Sequence, residues 1–110
     1  MIRDVSAGHV RINDEVYRNT VALTTDAVLE GAPRAPISRL TVADLRPLLD
    51  TDPDMILLGT GEETQFAPRE LLFALARAGV GLEVMTSAAA ARTFNVLASE
   101  ERRVAAVIYV

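Results

Sequence analysis

The chain has no cysteine, no lysine and no tryptophan, and it has one histidine, His9. Without cysteine there is no thiol nucleophile, no cysteine-held zinc and no redox switch. Without lysine there is no Schiff base and no phosphate-loop lysine. All eleven basic residues are arginine, and the formal net charge is -4. Only Arg102 and Arg103 are adjacent, and Glu100 and Glu101 precede them. Such a surface does not suit nucleic acid, whose phosphates require clustered positive charge. No apolar run approaches the ~20 residues of a membrane helix, and Met1-Ile2-Arg3-Asp4 lack the apolar segment of a signal peptide. The expectation is a cytoplasmic protein with neither nucleic acid nor membrane as a partner. Its 110 residues suit one domain, residues 1–110, that needs no disulfide, metal or cofactor to fold.

What is present is organised around Met55 to Gly61, Met-Ile-Leu-Leu-Gly-Thr-Gly. An apolar run of this length between Asp-Pro-Asp and glycines reads as a strand covered on both faces. Its glycines bring bare backbone to the carboxyl end, where open α/β sheets carry ligand sites. Upstream, His9 to Ile12 alternates as a half-buried strand, and Asn13-Asp14 forms a turn. Tyr17, Val21 and Leu23 share a parity, so Glu15 to Leu23 is expected to return antiparallel, with a short third strand over Ala27 to Glu30. Thr41, Asp44 and the pair Leu40/Leu45 signal a helix start. That helix is expected to end near Asp50, with a distortion at Pro47.

Asp50-Thr51-Asp52-Pro53-Asp54 has the alternating carboxylates of a calcium loop. Met55 stands where that loop requires glycine and Gly61 where it requires glutamate, so the stretch reads as a solvated turn. Pro68 opens a helix that Gly79 closes. Leu82 to Met85 reads as a strand, Thr86 or Ser87 as a cap, and Ala88 to Ala98 as a helix. Val104 to Val110 is an unbroken apolar run and must be a strand covered on both faces. Strand, helix, strand, helix, strand from Met55 onward implies right-handed parallel crossovers. The fold class is α/β: a single layered domain whose mixed sheet has a parallel βαβαβ C-terminal half, N-terminal antiparallel strands alongside, and helices on both faces.

The catalytic inventory is thin. Gly59-Thr60-Gly61 departs from a dinucleotide fingerprint, because Thr64 holds the third glycine position and Glu62 and Glu63 would repel a pyrophosphate. Ser87 is not in a nucleophile elbow, and capping the helix is its expected task. Arg92 and Asn95 share one side of the last helix, away from Ala90, Phe94 and Leu97. Two readings of that pair stay open: recognition of a ligand, or an ion pair at Arg92 with Asn95 satisfying backbone groups.

The second half resembles the Mth938-like domain family, which includes a mitochondrial complex I assembly factor. The resemblance rests on Ile56-Leu57-Leu58-Gly59-Thr60-Gly61, Pro68, Gly79-Val80-Gly81-Leu82-Glu83-Val84-Met85 and Thr86. It continues through Ala91-Arg92-Thr93-Phe94-Asn95-Val96-Leu97 and Glu101-Arg102-Arg103-Val104-Ala105-Ala106. It implies a mixed-sheet α/β domain with no established catalytic activity. The leading expectation is a non-catalytic module that binds another protein and assists assembly of a larger complex. The alternative is a small-anion binder or an unrecognised enzyme using the cleft at the glycine turn. The candidate ligand or partner residues are Gly59, Thr60, Gly61, Met85, Thr86, Arg92 and Asn95, and Thr60, Thr86, Arg92 and Asn95 are expected to converge on one concave site.

Overall fold

Valine, alanine and isoleucine in succession from Val104 leave no polar face, and in the computed structural model, which describes residues 1–110, all five residues of that strand are buried. The strands are β1 (Ile2–Ser6), β2 (His9–Ile12), β3 (Glu15–Tyr17), β4 (Val21–Thr24), β5 (Val28–Leu29), β6 (Met55–Gly59), β7 (Gly81–Met85) and β8 (Val104–Ile108). The helices are α1 (Arg46–Leu49), α2 (Arg69–Arg77) and α3 (Ser87–Ser99). β6 lies between β7 and β8 and is parallel to both, while β4 pairs antiparallel with β8 and β5 with β4. The parallel half is therefore as the strand and helix order predicts.

Period-two alternation divides the buried residues into two cores. Leu57, Val104, Ala106 and Ile108 face Ala90, Ala91 and Phe94 of α3 together with Ile2, Val10 and Ile12. Ile56, Leu58, Ala105 and Val107 face Leu45, Leu48, Leu71 and Leu75 on the opposite side. Helical cover thus lies on both faces, as a sheet with two apolar surfaces requires.

The N-terminal half departs from expectation in three places. Ile2–Ser6 is a strand that alternation does not show, because the β1–β2 register shifts between Ile2 and Asp4. The extra residue puts both Ile2 and Val5 against the first core, three positions apart instead of two. Glu15 to Leu23 is two strands, not one: β3 closes a separate three-stranded sheet with β2 and β1, and β4 crosses into the five-stranded sheet. The helix expected from Thr41 to Asp50 is a 3₁₀ turn, Ala43–Leu45, followed by the single turn of α1 with Pro47 at its start. Thr41 and Asp44 still bond reciprocally: Thr41 N–H donates to Asp44 Oδ2 at 3.0 Å and Asp44 N–H to Thr41 Oγ1 at 3.3 Å. Proline supplies no donor for a continuous helix across this region, so the segment breaks there.

The carboxylates before β6 serve the fold. Arg103 donates to Asp52 Oδ2 at 3.1 Å and to Asp54 Oδ1 at 2.8 Å, which ties the loop to the start of β8. The hydrogen bond from Arg103 is the largest effect holding the Asp54 carboxyl below its usual range.

Both glycines after β6 are needed, for different reasons. Gly61 has φ +97° with open space around it, whereas a Cβ at Gly59 would lie 2.8 Å from Ser87 Cα and 3.2 Å from Ala90 Cβ. Gly59→Ala must push α3 off the sheet and is expected to cost about 1–3 kcal/mol. Gly61→Ala meets only backbone strain and is expected to cost about 1 kcal/mol. Urea denaturation checks both. A Gly59→Ala midpoint equal to that of the unsubstituted chain would mean that the close approach carries no stability.

Candidate functional site

The carboxyl ends of β6 and β7 meet the start of α3, and main-chain groups do most of the joining. Thr60 N–H donates to Met85 O, Ser87 N–H to Gly61 O and Tyr109 N–H to Gly59 O, each at 2.9 Å. Ser87 is 1% exposed, and its hydroxyl is bonded in both directions: Oγ donates to Tyr109 O at 2.6 Å and accepts from Gly61 N–H at 2.8 Å. The expectation that Ser87 caps the helix is corrected, since Thr86 does so by accepting Ala89 N–H at 3.2 Å. A hydroxyl bonded as donor and acceptor to backbone is not a nucleophile in waiting.

Thr60 is buried beneath the surface. Its Oγ1 donates to Glu63 O at 2.6 Å and accepts Gln65 N–H at 3.3 Å, which folds the glycine loop back on itself. Met85 packs against the first core, and its sulfur lies 3.7 Å from Thr93 Oγ1. Two neighbouring depressions lie above this floor. One, of about 230 Å³, is lined by Gly61, Glu62, Thr86, Ser87, Ala88 and Tyr109, with Val5 to Ala7 opposite. The other, of about 250 Å³, is lined by Ile2 to Val5 on one side and Ala88, Ala91, Arg92 and Asn95 on the other.

The single concave site expected for Thr60, Thr86, Arg92 and Asn95 is therefore divided. Gly61 and Thr86 line the first depression, Arg92 and Asn95 the second, and Gly59, Thr60 and Met85 line neither. β1, whose position alternation could not give, forms a wall of both depressions, and Val5 and Ala88 line the two together. Asn95 belongs to the fold: its Oδ1 accepts Ile2 N–H at 3.0 Å and its Nδ2 donates to Ile2 O at 2.7 Å, so it pairs with β1 as a neighbouring strand would. Arg92 is exposed and takes part in none of the three ion pairs, which are His9–Asp4, Arg103–Asp52 and Arg103–Asp54. Neither Glu62 nor Glu63 folds back onto it. His9 lies 3.6 Å from Asp4 on the three-stranded sheet. No group of three histidine, cysteine or acidic side chains is placed to hold a metal ion.

Reasoning from sequence missed two features of this region. One is Tyr109, whose backbone joins Gly59 and Ser87 while its hydroxyl donates to Ala35 O at 2.7 Å. The other is Phe66, which is 95% exposed in the loop before α2. A phenylalanine flanked by Gln65 and Ala67 outside every periodic segment was the available signal.

With this geometry in hand, comparison with known proteins gives a consistent result. The family described as a protein of unknown function (DUF498/DUF598) matches residues 2–109. A 13 kDa major membrane protein of Francisella tularensis subsp. holarctica is 32% identical over 102 residues, 92% of this chain and 83% of the relative. The Danio rerio NADH dehydrogenase (ubiquinone) 1 alpha subcomplex assembly factor 3 is 38% identical over 61 residues. That match covers 56% of this chain and 35% of the assembly factor, so the matched part spans about a third of that relative. A Xanthomonas campestris protein solved by NMR superposes with a TM-score of 0.91 at 41% identity, over 100% of this chain and 83% of that one. A Bordetella pertussis Mth938-like domain shares the fold, with a TM-score of 0.77 at 23% identity, over 98% of this chain and 84% of that domain. No helix of the present chain is long and apolar enough to cross a membrane.

Tyr109 generates a pH prediction. Burial first, and the Asp44 carboxylate second, push its hydroxyl up to about 12 from an ordinary value of 10.0. A phenol whose folded pKa exceeds its unfolded one adds stability that is whole below the unfolded value and is lost as pH rises through the folded value. The loss should therefore fall between about pH 10 and 12. Tyr17→Phe leaves Tyr109 as the single tyrosine, and its ultraviolet titration is expected to have a midpoint near 12. A midpoint near 10 with the fold intact would contradict the buried bond to Ala35.

Proposed function

The chain belongs to the DUF498/DUF598 family, and from that premise we propose that it is a non-catalytic module that binds another protein and assists assembly of a larger complex. The observation that carries this reading is apolar surface left in water along one stretch of chain. Phe66 is 95% exposed, and on α2 Phe73 is 56% and Leu72 37% exposed. Leu71 and Leu75, on the same helix, are buried. The helix therefore has an apolar side beyond the one that packs the core. Burying one such side chain against a partner contributes about 1.5–3 kcal/mol, which is the gain that supports docking of another chain here. The assembly-factor relative from Danio rerio supports the reading at the level of the family.

The chemistry supports it from the other side. The hydroxyls of Thr60 and Ser87 and the amide of Asn95 are committed to backbone groups. A second reading, a small-anion site, has one observation in its favour: Arg92 and Arg3 line the same depression, and neither takes part in an ion pair. Asp4 lies in that wall as well and weakens the field an anion would meet.

One comparison separates the readings. Immobilised wild-type chain in native lysate is expected to enrich a protein that the Phe66→Ser, Phe73→Ser double variant loses by on the order of a hundredfold in affinity. Because both side chains are exposed, the variant's stability should stay within about 0.5 kcal/mol. Identical captured sets from the two chains would remove the reading. Amide shifts on titration with succinate that vanish in Arg92→Ala, with no protein captured, would favour the anion site instead.

A further inference from the structure

Two open sheets present four edge strands, β1, β3, β5 and β7, and each edge is a row of backbone groups that another chain can pair with. Three of them are blunted. β1 is bulged near Arg3, and Asn95 occupies its open side at Ile2. β3 has three residues and β5 two. β7 differs: it has five residues, no proline, an unbroken register with β6, and exposed or half-buried positions throughout. Gly81 N–H donates to Asp54 O and Met85 O accepts from Thr60 N–H. Gly81, Glu83 and Met85 therefore turn their backbone groups toward β6, and Leu82 and Val84 turn theirs to the open side.

The side chains say what fits there. Leu82 and Val84 pack against the second core, so a strand laid beside them continues an apolar surface. Glu83 is in register with Leu57 and so lies on the α3 side of the sheet, where it is exposed and outside the three ion pairs. We propose that β7 is a docking edge for an extended segment of a partner protein, with lysine or arginine opposite Glu83 and apolar residues opposite Leu82 and Val84. This rests on the partner-binding reading above and adds the mode of binding. Glu83 also rejects a second copy of this chain. Two-fold pairing of β7 with itself in the register Leu82 to Val84 sets Glu83 against Glu83, and like charges directly opposite are destabilising.

That rejection supplies a test that needs no knowledge of the natural partner. A copy carrying Glu83→Arg presents the proposed chemistry, an arginine between Leu82 and Val84, to the wild-type edge. Each chain alone is expected to sediment as a monomer with fast hydrogen exchange at the Leu82 and Val84 amides. The equimolar mixture is expected to sediment at twice the mass and to protect those two amides. Val84→Pro in the wild-type copy removes an outward N–H that the ladder to β6 does not use, and is expected to abolish the pairing. The protection of the two amides decides, whatever other contacts contribute to mass. A mixture that leaves both amides unprotected at millimolar concentration overturns the proposal, as does wild-type chain that protects them by itself. Either result leaves the capture through Phe66 and Phe73 standing, and loss of that capture does not alter the mixing result.

Discussion

The start of α3 rests on the bare backbone of Gly59, and the rest of the molecule is arranged to permit that contact. A side chain at this position would collide with the main chain of Ser87, so glycine here sets how far the helix can descend onto the sheet. The descent brings Ser87 within reach of both Gly61 and Tyr109, and its hydroxyl then joins the loop after β6 to the residue after β8. Two parallel strands, their loops and one helix are held at a single point. Phe94 and Ala90, further along α3, reach the first core because the helix sits this low.

The parallel half of the fold could be read in advance and the N-terminal half could not. Met55 to Gly59, Gly81 to Met85 and Val104 to Ile108 are apolar enough, and separated by clear enough helices, that their parallel order follows from local pattern and handedness. The N-terminal strands follow no such rule. A bulge breaks the alternation of β1, and no local feature of Arg18 to Thr20 announces that the chain leaves one sheet for another. The site suffered from the same gap. Helical spacing correctly put Arg92 and Asn95 on one side of α3, but what faces that side is β1, a strand hidden from periodicity. Asn95 proves to hold β1 in place, and only Arg92 is left to the solvent.

The hydroxyls of Thr60 and Ser87 and the amide of Asn95 are thus taken up by backbone groups, while Phe66, Phe73 and Leu72 remain exposed. That division has a physical logic. Backbone groups at the ends of strands and helices must be satisfied wherever they are buried, and in a chain of this size the nearest hydroxyls and amides are used for it. Phe66, Phe73 and Leu72 are not needed by either core, both of which are closed without them. Phe66 lies in the loop before α2, Phe73 and Leu72 lie on α2 itself, and α2 packs against β7, the strand whose open edge is regular.

Because Gly59, Ser87 and Tyr109 join two parallel strands and α3 at one point, this junction is expected to be the last part of the fold to open. Native-state hydrogen exchange tests it most directly, read at the amides of Thr60, Gly61, Ser87 and Tyr109. These four amides are expected to exchange only with global unfolding, at the same free energy as the amides of β6. Exchange of the Ser87 and Tyr109 amides through a local opening, while β6 stays protected, would contradict it and would make α3 an appendage to the sheet instead of its anchor.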